Sequence, residues 1–539
     1  MIMVQYPLTV NMHALKRVFR RLLGAFEAAL TWLYGWRWNP LHQSGTVSVL
    51  MLLVLLVTGL YLVLFYRVGA PAESVARIAA DPWLGSWIRT LHRYATDVFV
   101  VASVVHAVKM FSNDRSWGPR TLAWVSGIAL FAIGMILAWT GFVLAWDSFG
   151  ERLAREGGRL LDVLPVFSEP VSRIFAGDGP VPNAFFFVNL FIHIALPLGM
   201  GVAFWLHLSR LARPAIIPPR ALAWGMVAAL TSISVVRPAP LGPAADPLTL
   251  TTSTPVDMVV AWWLPLTERL APGVVWSLVV VIAVAALLVP RLTRRARVGS
   301  WAPSVVDPRL CTGCNQCPQD CPWDAITMVA RDDDRGTLVA RVDPALCVSC
   351  GICAGSCAPM GVGPGGRTGR DQLQALRSGT LPLLHQSNEH PIVVVSCMQA
   401  PESHREALRA LGAQLHPVSC VGNLHTSAVE LLIRNGAAGV IVFGCPPRDC
   451  VGREGPRWLY ERMFNDREAE LQPRVDRRRV QVATMAAGDR EATLAAYRSF
   501  AASVAGLDAP SAPGVDETDA LSDPDLYLCD PVPLAERLS

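Results

Sequence analysis

No cysteine occurs in the first 310 residues; all 13 follow, beginning at Cys311. A disulfide framework across the first half is therefore excluded. The spacings in the second half are those of metal thiolates, which call for a reducing compartment. Charge is scarce as well. Only 17% of the 539 residues are Asp, Glu, Lys or Arg, against 52% hydrophobic. The shortage falls in residues 44–290, which carry long apolar runs, whereas 300–539 has the polarity of a soluble protein. The net charge of +4 comes with no basic patch of the kind that binds nucleic acid, so no nucleic-acid partner is expected. The N-terminus does not read as a cleavable signal peptide.

What the first half does contain is membrane-like. "HALKRVFRRLLGAFEAALTWLYGW" sets Lys16, Arg17, Arg20 and Arg21 against apolar Leu15, Val18, Phe19, Leu22, Leu23 and Phe26 at helical spacing. That pattern predicts an amphipathic helix lying in the membrane interface, over residues 1–37. Six segments are long and apolar enough to span: 44–66, 88–110, 121–146, 184–208, 221–236 and 273–290. Basic residues gather before the first span, at Lys109, Arg115 and Arg120, at Arg210, Arg213 and Arg220, and at Arg291, Arg294, Arg295 and Arg297. With six spans these groups share one side. The positive-inside rule then places both termini and everything after residue 300 in the cytoplasm of a prokaryotic cell, as a multi-pass protein of its inner membrane.

Four of the 11 histidines lie within spans, as two pairs: His92 and His106, then His193 and His207. Each pair is separated by 14 residues. Fourteen helical residues rise about 21 Å and return to within ~40° of the same face. Ionisable residues inside a membrane are costly and mark function. The second and fourth spans run in the same direction, so His92 can face His193 and His106 can face His207, each pair holding one haem iron from both sides. Glycines repeat the period, with Gly45 and Gly59 on the first span and Gly127 and Gly141 on the third. They are expected to let a macrocycle approach the backbone.

"NPLHQSG…LLVTGLYL", "WIRTLHR…VVHAVK", "GFVLAW" and "NLFIHIALPLGMGVAFWLH" resemble the N-terminal domain of cytochrome b from quinol-oxidising bc complexes, over residues 38–215. The resemblance implies an outer haem b on His92 and His193 and an inner haem b on His106 and His207. It implies Arg89 as a propionate partner, quinone as substrate, and a homodimer formed through this region. Two departures stand out. Residues 141–146, Gly-Phe-Val-Leu-Ala-Trp, lack the family's proline before tryptophan. Where the family carries Pro-Glu-Trp-Tyr at its outer quinol site, this chain has Val260-Ala261-Trp262-Trp263, without the acid.

"CTGCNQCPQDCP" from Cys311 and "CVSCGICAGSCAP" from Cys347 both follow C-x2-C-x2-C-x3-C, each preceded by a "VDPxLC" repeat. Three thiolates at this spacing wrap one face of a cubane, and the fourth crosses to the other cluster. Cys311, Cys314, Cys317 and Cys357 are expected to hold one [4Fe-4S] cluster, and Cys347, Cys350, Cys353 and Cys321 the second. This is a bacterial-type ferredoxin, placed at residues 299–362.

A linker is expected over 363–388, then alternating strands and helices that predict an open parallel α/β sheet over 389–506. Cys397, Cys420 and Cys445 end successive strands, and Cys450 follows in a Cys-Pro-Pro-x-x-Cys loop. Strand C-termini form the binding edge of such sheets, so these four are expected to hold a [2Fe-2S] cluster. "SCMQAP", "PVSCVGN", "GAAGVIVFGCPPRDC" and "GREG" resemble the delta subunit of methyl-viologen-reducing hydrogenase, an electron conduit to heterodisulfide-reductase-type flavoproteins. The second cysteine common in that family is replaced by Ala400. No phosphate-type glycine loop follows the first strand. A flexible tail with Cys529 is expected over 507–539.

The expected architecture is therefore multi-domain. An all-α four-helix dihaem bundle is followed by two further transmembrane helices (216–298), an α+β ferredoxin and a parallel α/β domain. The expected function is that of a subunit of a quinone-linked oxidoreductase. It links a soluble cytoplasmic flavin and iron–sulfur complex, hydrogenase- or heterodisulfide-reductase-like, to the quinone pool. The alternative is a non-catalytic membrane anchor for such a complex.

Overall fold

The computed structural model describes residues 7–507, apart from 167, 177–179, 247–256, 295–301, 334, 387–389 and 466. Arg295, Arg297 and the tail with Cys529 lie outside the described residues. The chain divides into two compact units. One comprises 1–19, 43–209 and 214–293; the other comprises 20–42, 210–213 and 294–539.

Among the described residues of the first unit, five helices are long and apolar enough to cross a membrane: Ser44–Phe65, Gly85–Ser112, Thr121–Ala145, Asn183–Leu208 and Pro272–Leu292. Six spans are expected from sequence. The remaining one is a shorter apolar helix, Arg220–Val236, of 17 residues. That length reaches about 25 Å, short of a hydrocarbon core of ~30 Å. Helix Ser44–Phe65 packs on Gly85–Ser112, and Thr121–Ala145 packs on Asn183–Leu208. Met51, Ala95, Phe99, Val100 and Ala138 fill the interior. Leu56, Val57, Leu60, Leu64, Leu198, Val202 and Trp205 face outward. Such an exterior would be unfavourable in water and is the solvated surface in lipid. The protein is a multi-pass membrane protein.

The loop after Thr121–Ala145 is ordered by Trp146 and Asp147. Trp146 takes a left-handed backbone (φ 48°) and packs its ring among Phe175, Phe185 and Phe186. Asp147 caps helix Ser148–Leu161, accepting from the Gly150 amide at 2.9 Å.

The described residues of the second unit hold three sheets. Strand β1 (Val305–Val306) and β4 (Val362–Gly363) pair antiparallel, as do β2 (Ile326–Val329) and β3 (Val339–Val342). Strands β5 (Ile392–Cys397), β6 (Gln414–Val418), β7 (Gly439–Gly444) and β8 (Val480–Thr484) form a parallel sheet in the order β6-β5-β7-β8. Val393, Val395, Val440 and Val442 point into one core; Val394, Ile441 and Phe443 point into the other. That alternation is what a strand buried on both faces requires.

The described part of the stretch 363–388, expected as a linker, is largely helical. Thr368 and Asp371 form a capping box that starts helix Gly369–Ala375, a π-turn follows at Leu376–Thr380, and helix Leu381–Gln386 completes it. Leu373, Leu376, Leu381 and Leu384 are buried in the sheet's core. Glycine and arginine content suggested a linker; the leucine spacing makes it a packed helical layer. The N-terminal helix runs Pro7–Tyr34 and leaves Leu15, Val18, Leu22 and Phe26 exposed in one stripe. In the second unit its Ala28 lies against Gly488, whose φ of 85° and missing Cβ permit the contact.

Candidate cofactor sites

Two histidine pairs meet inside the helical unit. The His92 and His193 ring centroids are 6.4 Å apart, and so are those of His106 and His207. Two metal–imidazole bonds of ~2 Å fit between rings at that separation. Each ring has a hydroxyl partner that sequence reasoning passed over. His92 Nδ1 is 2.8 Å from Thr58, His193 Nδ1 2.9 Å from Thr140, His207 Nδ1 3.2 Å from Ser126 and His106 Nδ1 3.4 Å from Ser44. Thr58, Thr140 and Ser126 donate their own protons back to helix carbonyls of Val54, Leu137 and Leu122, at 2.7, 2.9 and 2.7 Å. Their oxygens are left to accept from Nδ1–H. That assigns the tautomer at His92, His193 and His207 and leaves their Nε2 lone pairs for a metal.

The same four hydroxyl residues each precede one of the predicted glycines: Ser44-Gly45, Thr58-Gly59, Ser126-Gly127 and Thr140-Gly141. A Cβ at Gly45 would stand 2.8 Å from His106 Cε1, at Gly141 3.1 Å from His193, at Gly127 3.2 Å from His207 and at Gly59 3.4 Å from His92. What these glycines make room for in the structure is the imidazole. Arg89 lies one turn before His92, but Nη1 and Nη2 donate to the carbonyls of Ala239 and Pro240 at 2.9 and 3.2 Å.

An acid does lie just before Val260–Trp263, at Asp257. Asp257 accepts from the amides of Val259 and Val260, both at 2.9 Å, and pairs with Arg93, the residue after His92. Arg93 also holds Asp97, at 2.5 Å. Two carboxylates thus share one guanidinium beside His92.

In the second unit, the two cysteine runs fold as copies of one another. Gly313 and Ser349 take φ of 81° and 58°, and Asn315 and Gly351 take 64° and 80°. Asp324 and Met360, each three residues past the fourth cysteine, take 48° and 57°. Left-handed residues at these positions turn successive amides inward, a concave arrangement suited to anions. Amides of Ala325, Ser304 and Gly361 reach Cys321, Cys347 and Cys357 Sγ at 3.4, 3.4 and 3.3 Å.

Cys311, Cys314, Cys317 and Cys357 line one pocket, with Val306, Met328 and Val362. Cys321 faces Cys347, and the neighbours of Cys350 are Cys353, Cys321 and Cys347. Burial, with a further push from neighbouring thiols, raises the pKa of Cys353 and Cys357 to about 12, against the lowering effect of hydrogen bonds from Ser304 and from the Gly361 and Val362 amides. Thiols so placed gain most from a cationic metal centre, which stabilises their thiolates outright. The donor set fits iron–sulfur clusters.

Cys397 ends β5, Cys445 directly follows β7, and Cys420 and Cys450 lie in the adjoining loops, all at the carboxyl edge of the parallel sheet. Cys397 and Cys450 neighbour each other and both Cys420 and Cys445. A hydrogen bond from the Cys445 thiol lowers Cys397, and contact with Cys450 raises Cys420. Gly452 and Gly455 clear space beside them: Cβ atoms there would lie 3.3 and 3.0 Å from Cys420 Sγ. The same Cβ at Gly452 would lie 3.8 Å from Cys350 Cβ, so two thiol sets adjoin.

Family models match three successive stretches: cytochrome b/b6/petB over residues 37–214, a 4Fe-4S dicluster domain over 310–361, and the methyl-viologen-reducing hydrogenase delta subunit over 403–508. The chain is a fusion resembling these three families. A similar protein is the "Menaquinol:cytochrome c reductase cytochrome b subunit" of Geobacillus thermodenitrificans, 23% identical over 186 residues, covering 32% of this chain and 83% of that one. A solved chain titled "Hyperthermophilic respiratory Complex III" matches 46% of this chain and 75% of its own at 16% identity, with a TM-score of 0.36. The cytochrome b region implies haem b and the dicluster region implies iron–sulfur. The protein is a membrane electron-transfer subunit.

Between the dicluster and delta-like regions lies a charged seam that no sequence signal announced. Arg462, 1% exposed, donates to Ser356 Oγ at 2.8 Å, Gly422 O at 2.7 Å and Ile352 O at 3.3 Å. Burial lowers its pKa to about 10, which still leaves it charged at neutral pH. Buried Asp320 accepts from Ser356 Oγ at 2.6 Å and pairs with Arg467. His425, held neutral by burial with a pKa of about 4, donates from Nε2 to Cys357 O at 3.0 Å while its Nδ1 accepts from the Ser427 amide. Arg213 joins the same unit: it pairs with Glu454 at 2.7 Å and donates to the carbonyls of Gln319 and Cys321 at 2.9 and 3.4 Å.

Proposed function

We propose that the protein links a soluble cytoplasmic flavin and iron–sulfur complex to the quinone pool, through a [2Fe-2S] cluster, two [4Fe-4S] clusters and two b haems. Cys397, Cys420, Cys445 and Cys450 would hold the [2Fe-2S] cluster. Cys347, Cys350, Cys353 and Cys321 would hold the adjoining [4Fe-4S] cluster, and Cys311, Cys314, Cys317 and Cys357 the other. His106 with His207, and His92 with His193, would ligate the haems. When bound, haems and clusters exchange single electrons, and quinone takes up two electrons and two protons to become quinol.

The observation that carries the reading is the junction at Gly452, where Cys350 of one thiol set and Cys420 of another approach the same missing Cβ. Two unrelated structural thiol clusters would have no reason to adjoin. In sequence, Arg213, bonded to the Cys321 carbonyl, follows His207 by six residues. Basic groups at Lys109, Arg115, Arg120, Arg210, Arg213 and Arg220 support a cytoplasmic location for the iron–sulfur regions. On the outer side, Asp257 and Asp97 share Arg93 and supply carboxylates able to hold a quinol proton.

An anaerobic redox titration of the purified full-length protein, followed by optical and EPR spectra, tests the cofactor assignment. The expected result is two b haems, two [4Fe-4S] clusters and one [2Fe-2S] cluster. A single haem, or no [2Fe-2S] signal, would break the reading at that region.

A further inference from the structure

Arg367 stands at the place where the two thiol sets adjoin. Its Nη2 donates to the Ser349 carbonyl at 2.7 Å and its Nη1 to Ser419 Oγ at 3.1 Å. Ser349 immediately precedes Cys350, and Ser419 immediately precedes Cys420. The guanidinium fork thus takes one arm from each ligand loop. The thiols acting on it electrostatically are Cys350, Cys420, Cys353 and Cys347, drawn from both sets.

The backbone of Arg367 is fixed by the same two loops. Asn423 Nδ2 donates to Arg367 O at 2.9 Å and to Gly351 O at 3.0 Å. Gly351 has no room for a Cβ, which would meet Asn423 Nδ2 at 2.7 Å. A residue tied at both ends of its side chain and at its carbonyl has little freedom to leave.

We propose that Arg367 is a positioning residue for electron exchange between the cluster on Cys347, Cys350, Cys353 and Cys321 and the cluster on Cys397, Cys420, Cys445 and Cys450. The proposal rests on the reading that both thiol sets hold clusters. The step moves one electron from one cluster to the other; no bond forms or breaks, and no proton is needed. Arg367 contributes in two ways. Its fork holds the two ligand loops at a fixed separation. Its positive charge favours the more negative, reduced form of each neighbouring cluster, raising both reduction potentials together.

Two variants of the full-length protein separate these contributions. Arg367→Gln removes the charge, and Arg367→Lys keeps it while losing the planar fork. EPR-monitored redox titrations give the midpoint of each centre. In Arg367→Gln the [2Fe-2S] midpoint and one [4Fe-4S] midpoint are expected to fall, with the other [4Fe-4S] and both haems unmoved. In Arg367→Lys both midpoints are expected to stay near the parent values. Unmoved midpoints in Arg367→Gln at full iron content, or an equal fall in every centre, would overturn the proposal. If Arg367→Gln fails to assemble, Ser419→Ala decides: it frees one arm of the fork and keeps the charge. Weakened magnetic coupling between the two reduced clusters is then expected, and unchanged coupling overturns the proposal. A parent protein lacking these cluster signals would sink the cofactor reading itself, before any variant is made.

Discussion

The two units solve the same problem, holding a metal centre at a fixed position, by opposite means. In the helical unit, position comes from periodicity. One 14-residue repeat places a histidine on one helix and a hydroxyl-glycine pair on its neighbour, twice over. In the iron–sulfur unit, position comes from irregular backbone. Left-handed residues bend each cysteine loop, and the third thiol set gathers at the ends of parallel strands. A helix fixes its ligands by rise and rotation, so its ligand residues can be far apart in sequence. A loop fixes them by local turns, so its ligands crowd together and their spacing becomes a motif.

This contrast can be broken or sharpened by substitution. His207→Leu removes one of two facing imidazoles. The haem-to-protein ratio is expected to fall from two to one, read by reduced-minus-oxidised spectra, with the iron–sulfur EPR signals retained. Loss of both haems would show that the pairs are not independent. Cys420→Ser is the matching test in the other unit: the [2Fe-2S] signal is expected to disappear while two [4Fe-4S] clusters and two haems persist.

Gly45→Ala is expected to act next most strongly. Its Cβ would meet the His106 ring at 2.8 Å, so the ring must shift; overpacking of this kind costs about 1–3 kcal/mol. At Gly59 the same Cβ finds 3.4 Å, so Gly59→Ala is expected to be the milder change in haem content and thermal stability. Equal effects would argue against the ring contacts. Thr58→Val keeps shape and deletes the hydroxyl beside His92. Loss of such a partner typically weakens metal binding by about 10–100-fold, and a lowered haem occupancy or potential at that pair is the expected readout.

The smallest expected effect lies in the α/β domain. Burial depresses the pKa of His416, whose Nδ1 meets Thr380 at 2.9 Å. A histidine with a depressed folded pKa binds protons preferentially when unfolded. Domain stability is therefore expected to fall as pH drops below the ordinary histidine value of about 6.5. Denaturation of the full-length protein, followed by the domain's fluorescence at pH 7 and pH 5.5, checks this. A stability that rises on acidification would contradict it.

Much of this was open to sequence reading where chemistry and spacing coincide. The histidine pairs, the cysteine runs and the alternating strands of the last region each leave a periodic or local trace. The hydroxyl partners were also in view, as Ser-Gly and Thr-Gly dipeptides repeated on two helices, but the glycine drew attention and the hydroxyl did not. Other features left no trace. Arg462 is chemically identical to the many surface arginines around it, and only tertiary packing reveals it as buried. Asp257 pairs with Arg93 across more than 160 residues, so no local spacing announces the pair. The helices of 369–386 were hidden by glycine and arginine, residues that suggest a linker by composition while the leucines between them build a core.

The central claim is that electrons pass between the iron–sulfur unit and quinone through the helical unit. The most direct test is to add quinol to the purified full-length protein, with no partner present, and follow the haem absorbance. The account predicts quinol-dependent haem reduction. Haems that stay oxidised over the full quinol range, while dithionite reduces them, would contradict it and leave the membrane unit as an anchor.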